Sequence, residues 1–120
     1  MEVAALVKTT AQILSIVSFA VYGTTCLLPG KMVSEFERFG LARFRRLTGV
    51  LQLAGSLGLV AGFYSQALLV FSAGGLAMLM LLGVIVRMRI RDPLIAIAPA
   101  AFYFCLNLFL VVSALSEIST

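Results

Sequence analysis

Four apolar runs fill most of the chain, at 10–28, 47–64, 67–86 and 93–115, and each comes close to the roughly 20 residues a helix needs to cross the hydrocarbon core of a bilayer. Backbone N–H and C=O groups find no water in lipid, so such a chain can span only as helices or as a closed barrel, and uninterrupted runs of this length select helices. Hydrophobic residues make up 62% of the chain and charged ones 12%, whereas apolar residues are nearer half of a soluble domain. The expectation is an all-α membrane protein, a single domain over 1–120, folded as an up-down bundle of four transmembrane helices. Met1 to Val7 hold one acid, Glu2, and no base, and no A-x-A cleavage site follows the run after Lys8. That run is therefore read as a retained first span instead of a leader.

The charges supply an orientation. Lys31, Arg38, Arg43, Arg45 and Arg46 fall in the first gap and Arg87, Arg89 and Arg91 in the third, eight bases against Lys8 alone on the terminal side. Short loops rich in Lys and Arg stay in the cytoplasm. The sequence thus predicts a bacterial inner-membrane protein with cytoplasmic basic loops and both termini on the opposite side. Its net charge of +4 then reflects topology and anionic lipid, not nucleic acid. Arg43, Arg45, Arg46, Arg87, Arg89 and Arg91 are the candidates for contact with headgroups of the lipid bilayer or with a membrane or cytoplasmic protein partner. Within the first gap, from Pro29 to Arg46, Met32, Phe36 and Phe39 recur at helical spacing and Gly40 offers a stop. Leu41, Phe44 and Leu47 continue an apolar stripe beside arginines. A short interfacial amphipathic segment between the first two spans is expected there.

Helices in lipid associate through close packing of small residues. Ala54, Gly58 and Gly62 recur at steps of four in the second run, with Gly55 on nearly the same side, which reads as a packing face inside the bundle or as a homo-oligomer contact. Pro93 opens the fourth run and Pro99, farther in, predicts a kink.

No Asp, Glu, Lys or Arg lies well inside a run. Proton-coupled pumps and antiporters use ionisable groups at membrane depth, so this pattern argues against them. The polar side chains within the runs are Gln52, Asn107, Tyr22, Thr24 and Thr25 among others. Gln52 and Asn107 read as interhelical hydrogen bonds or, with Tyr22 and Thr25, as the wall of a ligand pocket between the second and fourth spans. The chain has no His, and its two cysteines, Cys26 and Cys105, are far apart. That excludes a recognisable metal-ligand pattern and the C-x-x-C pair of a thiol oxidoreductase. No residue is assigned a catalytic role.

The stretch FERFGLARFRRLTGVLQLAGSLGLVAGF, 36–63, followed by LAMLMLLGVIVRMRIRDP, 76–93, resembles the DoxX-like family of small four-helix membrane proteins. Gln52 stands where members often carry Glu, Arg87 where they often carry His, and Thr25 or Cys26 where a Lys is frequent. The resemblance implies a small membrane partner: members include subunits of quinone-linked oxidation complexes, associates of oxidative-stress enzymes and a receptor-assembly chaperone. The reading is therefore a non-catalytic accessory subunit, anchor or assembly factor. A quinone- or lipid-binding subunit of an oxidoreductase complex, with quinone as its cofactor, is the alternative, and a small oligomeric transporter is the second.

Overall fold

A computed structural model describes residues 2–28 and 30–119. Met1, Pro29 and Thr120, and the side chains of Lys31, Ile118 and Ser119, lie outside what is described. Among the described residues every regular element is helical: α1 (Glu2–Leu27), α2 (Lys31–Phe39), a 3-10 turn (Ala42–Phe44), α3 (Arg45–Ala61), α4 (Gln66–Arg89) and α5 (Leu94–Ser119).

Helices α1, α4 and α5 are long and apolar enough to cross a membrane. Helix α1 begins eight residues ahead of the first apolar run, because nothing before Gly23 breaks it and Glu2 suits the positive end of the helix dipole. Its 26 residues reach about 39 Å, so its first turns outrun a core of about 30 Å. The second expected span is the exception. Helix α3 has only 17 residues, about 26 Å, because the chain starts to turn at Gly62. Hydrogen bonds from Gly62, Phe63 and Tyr64 to Gly58, Val60 and Ala61 then tighten the reversal, and Ser65 caps α4 by accepting from the Leu68 N–H.

Helix α1 packs on α3, α3 on α4, and α4 most extensively on α5, with a lighter α5–α1 contact. Neighbours run antiparallel: Gln12 and Ile16 of α1 bond to Leu59 and Ser56 of α3, while Gly55 and Gly58 of α3 oppose Leu76 and Ser72 of α4. The core is Phe19, Leu59, Leu69, Leu76 and Leu110 with Ala11, Ala73 and Ala114. Outward faces are strongly apolar, Phe71 being 78% and Leu57 72% exposed. Exposed apolar surface of that extent fits lipid and not water.

Two helix ends share one device. Helix α2 stops at Gly40, whose positive φ of 76° lets its N–H reach Glu37 O while the Leu41 N–H reaches Phe36 O, a Schellman motif. Helix α4 ends in the same pair of bonds, Arg91 to Met88 O and Asp92 to Arg87 O, but with Arg91 at φ 60°. A non-glycine residue there costs about 1 kcal/mol. The reversal carries the Asp92 carboxylate back over the end of α4. Helix α5 stays helical through Pro99.

Candidate functional site

Polar side chains gather in two places, a seam along α1 and an ionic knot at the basic end. The seam follows positions 8, 12, 15 and 19 of α1, the steps of four, three and four that define one helical face. At its outer end the Lys8 ammonium lies 2.8 Å from Glu117 and 3.3 Å from Gln66, tying the start of α1 to α4 and α5. Gln12 Nε2 donates to Leu59 O at 2.8 Å. Ser15 Oγ donates to Asn107 Oδ1 at 2.9 Å, and Asn107 Nδ2 donates to Tyr103 O at 2.8 Å. Ser18 and the Tyr103 hydroxyl are 2.8 Å apart, and Ser56 Oγ donates to Ile16 O at 2.7 Å. Tyr103 also meets Phe19 and Tyr22 edge-on, ring centres 5.5 and 5.7 Å away.

The residues singled out from sequence fall differently. Asn107 is fully buried and is engaged by α1 through Ser15. Gln52 is buried on the face of α3 that also carries Gly49 and Ser56, and among the described residues its Oε1 is the one buried side-chain acceptor without a hydrogen-bond donor. Tyr22 and Thr25 are exposed, and Thr25 Oγ1 is turned back on Tyr22 O. Gly55, Gly58 and Gly62 abut α4 through Leu76, Ser72 and Leu69, while Ala54 is exposed beside them. Cys26 is buried and Cys105 exposed, both as free thiols.

Sequence reasoning passed over Gln12, Ser15, Ser18, Ser56 and Tyr103, because Ser and Tyr are unremarkable in apolar helices. The helical period of Lys8, Gln12 and Ser15 was the available signal. Asn107→Leu is expected to lower stability in detergent by about 1 kcal/mol, as interhelical hydrogen bonds in lipid commonly do. Thermal melts in a double-mutant cycle with Ser15→Ala should recover most of that loss as coupling.

At the other end, Arg38 of α2 spans two carboxylates, Glu35 and Asp92, each at 2.5 Å. Arg87 of α4 reaches Asp92 from the opposite side at 2.9 Å. The Phe39 ring lies under both cations, 5.4 Å from the Arg38 guanidinium and 5.0 Å from that of Arg87. The Asp92 side chain is only 7% exposed. Arg38, first, and then Arg87 hold its carboxyl below the ordinary carboxylate range, and the carboxylates of Asp92 and then Glu35 raise Arg38. Arg45 donates to Cys26 O and Leu28 O, closing orphan carbonyls at the end of α1. Arg43 stacks on Phe44 at 4.8 Å. Arg46, Arg89 and Arg91 are exposed, and among the described residues no carboxylate pairs with them or with Arg43.

The sequence profile of the DoxX-like family matches residues 10–111. The chain belongs to the DoxX-like family. The matched residues include Gln12, Ser15 and Asn107 of the seam and the whole ionic knot, while the Lys8–Glu117 pair lies outside them. With its three spanning-length helices this DoxX-like protein is an integral membrane protein. No curated protein and no solved structure matches the chain.

Proposed function

We propose that this DoxX-like protein crosses the membrane four times as an up-down bundle and serves as a non-catalytic accessory subunit, anchor or assembly factor of a membrane complex. The 3-10 turn and the reversal at 62–64 extend α3 from about 26 Å toward the roughly 30 Å a crossing requires. With eight bases at one end and Lys8 at the other, the basic end faces the cytoplasm, with α2 held at that membrane surface. A bacterial inner membrane is the setting that fits.

One observation carries the accessory role: the seam's polar groups are spent on neighbouring helices, as in Gln12 to Leu59, Ser15 to Asn107 and Ser56 to Ile16. Groups so engaged fix helix register and leave little free to bind or turn over a substrate. A second reading, a quinone- or lipid-binding subunit, rests on Gln52 Oε1, a buried acceptor that a hydroquinone or lipid hydroxyl could satisfy. Mild extraction from native membranes followed by intact-complex mass spectrometry separates the two. A stoichiometric protein partner and no small molecule supports the accessory role. The bare chain carrying one quinone overturns it in favour of the second reading, and transport of solute by the chain alone in vesicles overturns both.

A further inference from the structure

Lipid tails are as apolar as a leucine-rich core, so at a membrane surface apolar contact alone does not hold a short helix to a bundle. What holds α2 is ionic. Helix α2 touches α1 and α3 only lightly, and its buried Phe36, with the Phe39 ring 5.6 Å away, would find an equally apolar setting at the edge of the hydrocarbon. The Arg38 guanidinium, by contrast, forks onto the Asp92 carboxylate at 2.5 and 3.3 Å. No Cβ built at Gly30 or Gly40, the residues flanking α2, would meet an atom within 4 Å. Both ends of α2 therefore have room to turn.

The carboxylate that α2 grips is itself held against strain. Arg91, one residue before it, sits at φ 60°, a left-handed conformation that disfavours a non-glycine residue about fivefold, the equivalent of about 1 kcal/mol. The Arg91 side chain offsets none of this, since it is exposed and pairs with no carboxylate among the described residues. The compensation lies at Asp92. Arg87 holds that residue twice, its carbonyl accepting the Asp92 N–H at 2.9 Å and its guanidinium meeting the carboxylate at 2.9 Å. Arg38 of α2 closes on the same carboxylate.

We propose that α2 is a strap poised to lift, latched by Asp92 and loaded by the strained turn at Arg91. When it is closed, Asp92 is drawn back over the end of α4 between Arg38 and Arg87, and the turn stays left-handed. When it lifts, the turn relaxes, α2 swings on its flanking glycines, and the two guanidiniums become free for an anion at the basic end. The strain at Arg91 sets how often this happens, because it burdens the closed state alone. The device rests on the membrane-spanning reading above and not on the accessory role.

The test is amide hydrogen exchange of the full chain in nanodiscs of phosphatidylcholine, where exchange within α2 follows the population of the lifted state. Arg91→Gly removes the strain and should slow exchange across 32–39 about fivefold, while α1, α4 and α5 exchange as in the parent chain. Arg91→Ala removes the same charge but keeps the strain, so α2 should exchange at the parent rate. With Asp92→Asn the latch is already gone, and adding Arg91→Gly should alter α2 by less than about twofold. Equal exchange of α2 in Arg91→Gly and the parent overturns the strap, and so does equal slowing by Arg91→Ala. Slowing that extends alike to every helix overturns it as well, because the strain would then be held by the packing of α4 on α5. So does a full effect of Arg91→Gly that survives in Asp92→Asn. No partner protein enters the measurement, so its failure leaves the accessory role standing.

Discussion

Replacing Gly49 by Leu should destabilise the fold more than any other single change considered, by about 3 kcal/mol. The cause is backbone on backbone. A Cβ built at Gly49 would stand 2.9 Å from Gly23 O and from Leu27 Cγ, and one at Gly23 would stand 2.9 Å from Gly49 O and 2.8 Å from Leu53 Cγ, so at these two glycines the backbones of α1 and α3 approach each other directly. A backbone carbonyl cannot swing aside, and relief requires the helices to separate. That separation would stretch the Gln12–Leu59 and Ser56–Ile16 bonds, which share the same interface. Gly58→Leu should cost less. Its added carbon would collide with Ser72 Oγ at 1.9 Å and stand 2.9 Å from Ser72 Cβ, with the Ser72 Cα 4.0 Å away, so rotation of the hydroxyl relieves the closest clash while the Cβ contact remains. Gly75→Leu should cost nothing and could gain up to about 1 kcal/mol from helix propensity. Melting temperatures of the three variants in one detergent check the order. Should Gly49→Leu melt with the parent, the close crossing is wrong.

The second large effect is local. Asp92→Asn removes the charge that both Arg38 and Arg87 share, and α2 should loosen from the α4–α5 turn while the long helices remain folded. A nine-residue helix is too short to persist without tertiary contacts. Hydrogen exchange of its amides should therefore quicken several-fold, the range expected when the α2 partner, Arg38, keeps about half of its side chain in solvent. The pH dependence has a definite sign. Because Asp92 titrates below its ordinary value, its contribution is complete above pH about 4 and disappears as the pH falls through the lowered pKa. Protection of α2 should be level from neutrality down to that point and then drop in the parent chain. In Asp92→Asn the step should vanish. A step that survives unchanged would assign the acid response to another group.

How far these features were legible in the sequence differs from one to the next. Gly40 announced the end of α2, because a left-handed residue after an amphipathic run is a local requirement that glycine meets without strain. The matching stop at Arg91 gave no such notice, since a non-glycine residue takes up positive φ there and the surrounding turn supports the strain. Gln52 and Asn107 were visible as polar residues in apolar runs, yet their partners were not. Asn107 turns to Ser15, 92 positions earlier in the chain, and nothing in either segment encodes that pairing. Arg45 was expected at lipid or a partner and is engaged with carbonyls at the end of α1. The apolar run to Tyr64 passes the end of α3 at Ala61, because hydropathy continues through Phe63 and Tyr64 while the backbone has already turned.

The sequence by itself determined the helical class, the membrane as solvent and the division of charge between the two ends. These follow from the cost of burying backbone or charge in hydrocarbon, which each segment meets on its own. The tertiary structure alone decided which helices touch and at what register. It set Gly23 against Gly49, Ser15 against Asn107, and Arg38 and Arg87 on either side of Asp92. Such contacts depend on the fit of two surfaces distant in the chain, and lipid offers no hydrophobic force that would have written the choice into composition.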